Sequence, residues 1–256
     1  MNAILLRLAG PLQSWGERSA FTAVRDTAPF PTRSALIGLF AAAEGIGRDD
    51  TLPDDYDHLR LTVRVDRPGV RVIDYHTVGG GLPKARTAAT SGGSNKGAAV
   101  ITRRHYLSDA VFVVAVCGPD PIMNRLTQAL RRPHWAPYLG RRSCVPDEPF
   151  VLRTHVADPE TELRHHVPLS RSVPADRDND TVDVEFLRED PPPAHSGPWA
   201  DTLDVNDIPV SFSPHGRSHR MRRLHRSTLP LPRSLAGPQH TLMRRLIDYA
   251  HTEETA

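Results

Sequence analysis

The stretch PYLGRRSC, at residues 137–144, brings a glycine, two adjacent arginines, a hydroxyl and a thiol close together. Gly140 allows close backbone approach, and Arg141, Arg142 and Ser143 could donate several hydrogen bonds to a phosphate. The stretch lacks the GxxxxGK(S/T) pattern of nucleotide hydrolases. Taken alone, it is compatible with a phosphate-binding loop, and slightly more so with an ordinary charged turn.

Nucleophilic catalysis is a second possible chemistry, because two positive charges precede Cys144 and would favour its thiolate. A nucleophile also needs a base and an oxyanion site, and the sequence identifies neither. Ser143 is not part of a GxSxG elbow. We therefore expect no catalytic residue in this stretch, and we interpret Cys144 as a small buried side chain.

The histidines of the sequence do not form a metal-binding pattern. His165 and His166 are adjacent and point apart in most backbones, while His215, His219 and His225 lie in an arginine-rich stretch that would repel a cation. The HExxH, CxxC and EF-hand patterns are absent. We expect neither a metal nor another cofactor.

Metal-independent RNA cleavage is the enzymatic alternative. Tyr75 and His76 precede a glycine-rich stretch at residues 79–97, and Arg104, His105 and Tyr106 follow it. If the stretch is a hairpin, these groups lie close together, and a histidine with a lysine or tyrosine could cleave RNA by acid–base catalysis. The same residue types also stack on bases or bond to them, and the sequence cannot separate the two roles.

The net charge of +2 hides an uneven distribution along the chain. Residues 75–108 contain no acid, residues 174–208 contain ten, and residues 215–233 contain six arginines and no acid. Basic stripes separated from an acidic segment favour a polyanion as the partner of one face.

Hydrophobic periodicity predicts strands and helices in a recognisable order. The predicted segments are a strand at 3–8, a helix at 33–43 with Thr32 as its N-cap, a strand at 59–66 that pairs with 70–75, a central strand at 110–117, a helix at 121–132 and a strand at 150–156. Two βαβ units separated by an excursion predict an α+β, ferredoxin-like (RRM-like) domain over residues 1–157.

Residues 158–256 are expected to form a small, partly irregular, β-rich extension. Its predicted parts are an acidic, proline-rich loop at 174–208, a basic hairpin at 211–233 and a short helix at 239–250. No apolar run reaches the roughly 20 residues of a membrane span, and the N-terminus is typical of a strand rather than a signal peptide. Two cysteines without zinc-type spacing favour a reducing, cytoplasmic compartment.

Several uncommon strings occur in order over about residues 1–156. They are LRLAGPLQSWG at 6–16, FPTRSALIGLFAAAEGIGRDD at 30–50, IDYHT at 73–77, RHYLSDAVFVVAV at 104–116 and PYLGRRSC. Together they resemble the E subtype of the Cas-five family, in the RAMP superfamily, whose members are subunits of the type I-E CRISPR Cascade complex. The resemblance implies a RAMP domain with an inserted β-hairpin, the thumb, here at about residues 77–103.

The resemblance also implies a function in antiviral defence. A family member caps the 5′ handle of the mature CRISPR RNA without cutting it, lies beside the backbone subunit CasC and anchors the large subunit CasA. It meets target DNA only indirectly, through the complex. Relatives of the C subtype cleave precursor RNA themselves, so an endoribonuclease that processes repeat RNA is the alternative.

Matching motif positions imply which residues contact RNA. They are Arg25, Arg33 and Ser34 near the first loop and helix start; His76, Lys84, Arg86, Lys96, Arg103 and Arg104 in or beside the thumb; and Tyr138, Gly140, Arg141, Arg142 and Ser143 in PYLGRRSC. The N-terminus of the first helix would offer its free N–H groups to phosphate. Trp15 could equally stack on a base or fill a local core.

Overall fold

A computed structural model describes residues 2–16, 23–79, 83, 86, 99–172, 180–191, 201–213 and 216–252. Lys84 and Lys96, both predicted to contact RNA, lie outside the described residues. The described strands are β1 Asn2–Ala9, β2 Leu12–Gln13, β3 Val24–Arg25, β4 Arg60–Arg67, β5 Val70–Val78, β6 Val100–Ser108, β7 Val111–Gly118, β8 Val151–Val156, β9 Thr181–Arg188, β10 Asp201–Ser211 and β11 Ser218–Pro232.

The helices of the described chain are fewer than its strands. They are α1 Arg33–Glu44, α2 Asp120–Arg131, α3 Pro159–Thr161, which continues as a π-helix over Glu162–His166, and α4 Leu242–His251, with 3₁₀ turns at Asp54–His58, Arg233–Leu235 and Gln239–Thr241. Across these described segments, no helix has the length and apolar character needed to cross a membrane.

The strand order β8-β1-β7-β4, with antiparallel neighbours throughout, confirms the predicted ferredoxin-like domain. Strands β1 and β7 are the two inner strands of this order, and their side chains are buried on both faces of the sheet. Ile4, Leu6 and Leu8 face one core, which they share with α1 and α2. Ala3 and Leu5 face the opposite core, which α4 covers. The two faces of the sheet are therefore both occupied, and α1 and α4 lie on opposite sides.

The predicted pairing of residues 70–75 with the strand at 59–66 is wrong. Strand β5 pairs instead with β6, in antiparallel register from Val70 opposite Ser108 to Val78 opposite Val100. Strand β4 cannot accept β5, because β7 and β9 already occupy its two edges. The β5–β6 pair joins β2 and β3 in a second, smaller sheet and forms the base of the predicted thumb.

The acidic stretch at 174–208 was predicted to be an irregular loop. This prediction is wrong for much of the stretch, because it contains β9 and most of β10. Strand β9 reads TVDVEFLR, and its alternating Val182, Val184 and Phe186 are buried in the core under α4. The predicted basic hairpin at 211–233 is also wrong: β11 is one strand of 15 residues that pairs with both β10 and β9. These strands continue the core sheet beyond β4 in the order β10-β11-β9-β4.

A buried cluster of charged side chains joins the C-terminal strands to helix α1. Arg222 lies between two carboxylates, 2.6 Å from Glu189 Oε1 and 2.6 Å from Asp207 Oδ1. Arg33 pairs with Glu189 at 2.7 Å, and its backbone N–H donates to Asp207 Oδ2 at 2.6 Å. A carboxylate therefore caps the N-terminus of α1, where the helix dipole favours a negative charge.

This cluster predicts that Asp207→Asn destabilises the protein by about 3–5 kcal/mol, because the change leaves Arg222 buried without one of its partners. The matched control is Asp204→Asn in the same strand, whose side chain is 58% exposed and pairs with an exposed Arg223. Its effect should stay within about 0.5 kcal/mol. Urea unfolding measures both, and equal losses in the two variants would contradict the assigned role of the cluster.

Candidate nucleic-acid interface

A groove with a volume of about 1330 Å³ runs between α1, β6, the loop after α2 and residues on either side of the β10–β11 connection. We call it the arginine groove, after the basic side chains that line it: Arg25, Arg48, Arg104, Arg141, Arg142, Arg217 and His219. None of its described lining residues is acidic. A cleft lined by one sign of charge concentrates ions of the opposite sign, so the groove suits a polyanion.

A second cleft has the opposite character. It has a volume of about 550 Å³, and Asp49, Asp50, Asp54 and Asp57 line it together with three arginines. Aspartates repel phosphate, so this cleft does not favour the same ligand. The two clefts share Arg48, Phe212 and Ser213 in their linings.

Strands β3 and β6 bring two predicted residues together at one side of the groove. The strands run parallel, with Arg25 in register with Arg104. Arg104 Nε donates to Thr102 Oγ1 at 3.2 Å. Arg104 lines the groove. Because alternate residues of a strand share a face, Thr102 and Tyr106 lie on the same face of β6 as Arg104.

The loop PYLGRRSC is a tight turn that packs against the segment after β2. Ser14 N–H donates to the Leu139 carbonyl at 3.1 Å, and Leu139 N–H donates to the Cys144 carbonyl at 2.7 Å. Gly140 has φ 85°, and a Cβ atom there would overlap the Ser14 carbonyl oxygen. The close approach that Gly140 permits is therefore to the protein's own backbone.

The two arginines of this loop are held differently. Arg141 lies over the ring of Tyr106, 4.5 Å from its centroid, and donates to the Arg25 carbonyl at 3.2 Å. Its Nη1 is buried without a hydrogen-bond partner in the described part of the protein. Arg142 and Ser143 are exposed, and Tyr138 is half-buried in the groove wall. The loop thus gives the groove two guanidinium groups: that of Arg141, held by Tyr106 and the Arg25 carbonyl, and that of Arg142, which is exposed.

Arg33, Ser34 and the N-terminus of α1 were predicted to contact RNA, but the structure buries both side chains. The Arg33 side chain is buried, and besides Glu189 it donates to the Leu59 and Tyr56 carbonyls at 3.0 and 2.8 Å. Ser34 lines the groove but is only 4% exposed. Because Asp207 already accepts the first N–H of the helix, we leave Arg33 and the helix N-terminus out of the proposed interface.

The thumb base carries several of the groups proposed for acid–base catalysis. Tyr75 and His76 are consecutive in β5, so their side chains point to opposite faces of the pair. His76 Nδ1 lies 3.3 Å from Asp74 Oδ2. Arg103 and Arg86 are exposed. The structure therefore keeps basic residues accessible at the thumb base but does not bring Tyr75 and His76 to one point.

Two residues with open interpretations lie in the protein interior. Trp15 is fully buried, and its indole Nε1 donates to Gln13 Oε1 at 3.1 Å, so it fills the core rather than stacking on a base. Cys144 is 1% exposed, and burial raises the pKa of its thiol, which opposes nucleophilic attack. No group of metal-binding side chains occurs among the residues that the structure describes.

The groove lining also includes residues that were not predicted from the sequence, among them Arg48, Trp135, Arg217 and His219. Partial desolvation, and then the like charge of Arg48, lower the pKa of Arg217. Partial desolvation and then Arg217 likewise lower the pKa of His219. The like-charge contributions indicate that Arg48 and Arg217, and Arg217 and His219, lie near one another in the groove. The basic run after residue 214 was visible in the sequence, but its contact with α1 depends on the fold.

The packing of the loop predicts that Gly140→Ala lowers the melting temperature by roughly 5 °C, because a side chain there is strained by the positive φ and overlaps the Ser14 carbonyl. Gly216→Ala is the control, since a Cβ atom at that glycine meets nothing within 4 Å. Differential scanning calorimetry compares them. A Gly140→Ala protein as stable as the wild type would show that the loop does not need this close approach.

Comparisons with known proteins place this geometry in a family. A sequence model of the family described as CRISPR-associated protein (Cas_Cas5) matches residues 3–225. The CRISPR system Cascade subunit CasD of Escherichia coli (strain K12) is 35% identical over 205 residues, covering 74% of this chain and 88% of that protein.

Two solved structures are similar over almost the whole chain. A chain of a CRISPR RNA-guided surveillance complex is 46% identical, with a TM-score of 0.84, and the match covers 97% of this chain and 99% of that one. A crystal structure of a Cas protein is 31% identical, with a TM-score of 0.61, over 91% and 97% of the two chains. The chain therefore belongs to the Cas5 family of CRISPR-associated proteins.

Proposed function

We propose that this protein is the CRISPR RNA-binding subunit of a Cascade surveillance complex and that it holds the 5′ handle of the RNA in the arginine groove. The observation that carries the proposal is the combination of seven basic side chains and no described acidic one along a single groove. A groove of this kind tracks a phosphate backbone. The similarity to a chain of an RNA-guided surveillance complex supports the same ligand.

The proposed RNA path runs from the thumb base to the start of β11. Arg104 and Arg25 would meet phosphates at the thumb end, and Arg142 would meet them at the loop after α2. Arg48 and Arg217 extend the positive charge beyond the residues implied by family motifs. Guanidinium groups suit this role because they donate two parallel hydrogen bonds to one phosphate.

We further propose that the subunit does not cut RNA. Tyr75 and His76 lie on opposite faces of β5, so these two side chains do not form an acid–base pair. The thumb lysines Lys84 and Lys96, the other partners considered for His76, lie outside the described residues. Cys144 is buried with a raised pKa. A separate subunit would then supply the RNA cut.

The proposed partners are the backbone subunit CasC and the large subunit CasA, with target DNA reached only through the complex. The relative CasD is a subunit of Cascade, which supports an assembly of this type. Both Cys117 and Cys144 are free thiols, in agreement with a reducing, cytoplasmic compartment.

Reversing groove charge should weaken RNA retention. In complexes assembled with partner subunits and CRISPR RNA, the Arg142→Glu, Arg217→Glu double variant should retain RNA at least about tenfold less tightly. The slope of log affinity against log salt should fall by about 0.7 for each phosphate that the variant no longer binds. Filter binding across a salt series measures both quantities.

The matched control for this prediction is Arg244→Glu, which is compared with the Arg142→Glu and Arg217→Glu single variants because each changes the net charge by the same amount. Arg244 is 87% exposed on α4, on the opposite face of the sheet from the groove. A control variant that weakens RNA binding as much as either single groove variant would show that the effect is one of overall charge, and the groove assignment would then fail.

The absence of a cleavage role is tested with labelled repeat RNA and the protein in excess chelator. We expect the RNA to remain intact over hours, with the wild type and with His76→Ala. A discrete product that depends on the wild-type histidine would instead make the protein a metal-independent endoribonuclease.

A further inference from the structure

Trp135 is an exposed aromatic side chain in the wall of the arginine groove. Its side chain remains 46% exposed, whereas Trp15 is fully buried. Tyr75 is also exposed, but it lies in β5 of the thumb base and does not line the groove. The exposed indole gives the charged groove a flat apolar surface that a ligand ring can cover.

The backbone around Trp135 is fixed to the end of helix α1. The N–H groups of His134 and Trp135 donate to the Ala43 and Ala42 carbonyls at 2.9 and 3.2 Å. These carbonyls belong to the last turn of the helix, where the chain offers few partners of its own. The loop thereby supplies hydrogen-bond donors to carbonyls at the end of α1, and these bonds fix the backbone that carries the indole.

The orientation of the indole is also supported from the side. His134 meets the Trp135 ring edge-on, with centroids 4.7 Å apart and an angle of 85° between the rings. His134 in turn packs on Gly45, where an added Cβ atom would lie 3.0 Å from its ring. Gly45 has φ 80°, so a glycine suits this position for both its conformation and its lack of a side chain. Trp135 is thus held while its surface stays accessible.

Trp135 shares its groove with positive side chains. Arg48, Arg142 and Arg217 line the same groove as Trp135. Proteins that hold single-stranded nucleic acid combine such cations, which follow the phosphates, with aromatic rings on which bases stack. A protein partner would need acidic side chains to match these arginines, whereas an RNA strand supplies both the anion and a flat apolar ring.

We propose that Trp135 is a stacking platform for one unpaired base of the bound RNA. This proposal rests on the proposed function of the groove. The base lies against the indole while Arg48, Arg142 and Arg217 hold the adjoining phosphates. The indole accepts any base, because every base has a flat face. Trp135 therefore fixes where along the groove the strand is splayed, rather than which base stands there.

The test uses the assembled complex with synthetic CRISPR RNAs that carry 2-aminopurine at one 5′-handle position at a time. This base fluoresces, and stacking quenches it. We expect one position to be quenched in the wild type, to remain quenched in Trp135→Phe, and to brighten in Trp135→Leu, which keeps an apolar side chain but cannot stack. Trp135→Leu should also release RNA about tenfold faster, as expected when one base no longer stacks on an aromatic ring.

Ile247→Ala is the matched control, because Ile247 is an apolar side chain 42% exposed on α4, on the opposite face of the sheet. It should change neither fluorescence nor release. Equal fluorescence at every position in the wild type and in Trp135→Leu, with RNA bound to both, would overturn the stacking inference and leave the proposed function intact. Weaker binding of partner subunits with unchanged RNA fluorescence would overturn it as well and make Trp135 a protein contact. A wild-type assembly without RNA would contradict the proposed function itself.

Discussion

The pairing of Arg222 with two buried carboxylates is the interaction on which the rest of the structure depends. Asp207 joins Arg222 to the first N–H of α1, and Glu189 joins it to Arg33 and to the Leu61 N–H. A charge left without its partner in this interior would cost several kcal/mol. The cluster therefore adds to the β4–β9 strand pairing and the apolar core in attaching β9, β10 and β11 to the ferredoxin-like core.

This attachment determines the charge of the groove. Arg217, just before β11, and His219, at its start, line the groove, while Glu189 and Asp207 from the preceding acidic stretch bond to the buried Arg33 and Arg222. Opposite charges that are close in sequence are thus separated in space. A chain with a net charge of only +2 can in this way present a groove without a described acidic lining residue.

Much of the core could be predicted from the sequence, because its signals are local. Alternation and apolar runs identified β1 and β7, and Gly45 marked the end of α1. The strands β9 and β10 were missed because acidic and proline-rich composition is typical of loops, although TVDVEFLR does alternate. Their burial depends on partners that lie far away in the chain, as do most strand pairings.

The site was predicted less completely, for a related reason. Arg33 and Arg142 both lie within strings that match the family. Only the fold shows that Arg33 pairs with Glu189 inside the protein, while Arg142 is exposed. Gly140 was correctly noticed as a place of close approach, but the approaching group is Ser14. Trp135 had a signal in the string HWAPY, which places an aromatic on each side of Pro137. Its exposure could not be inferred without the position of α1.

The most direct measurement of the central claim is an electron cryomicroscopy structure of the complex assembled from this protein, its partner subunits and CRISPR RNA. We predict continuous density for the 5′ handle along the arginine groove, with phosphates beside Arg104, Arg142 and Arg217. Density for the handle on the α4 face, or an arginine groove filled by a protein subunit instead of RNA, would contradict the claim.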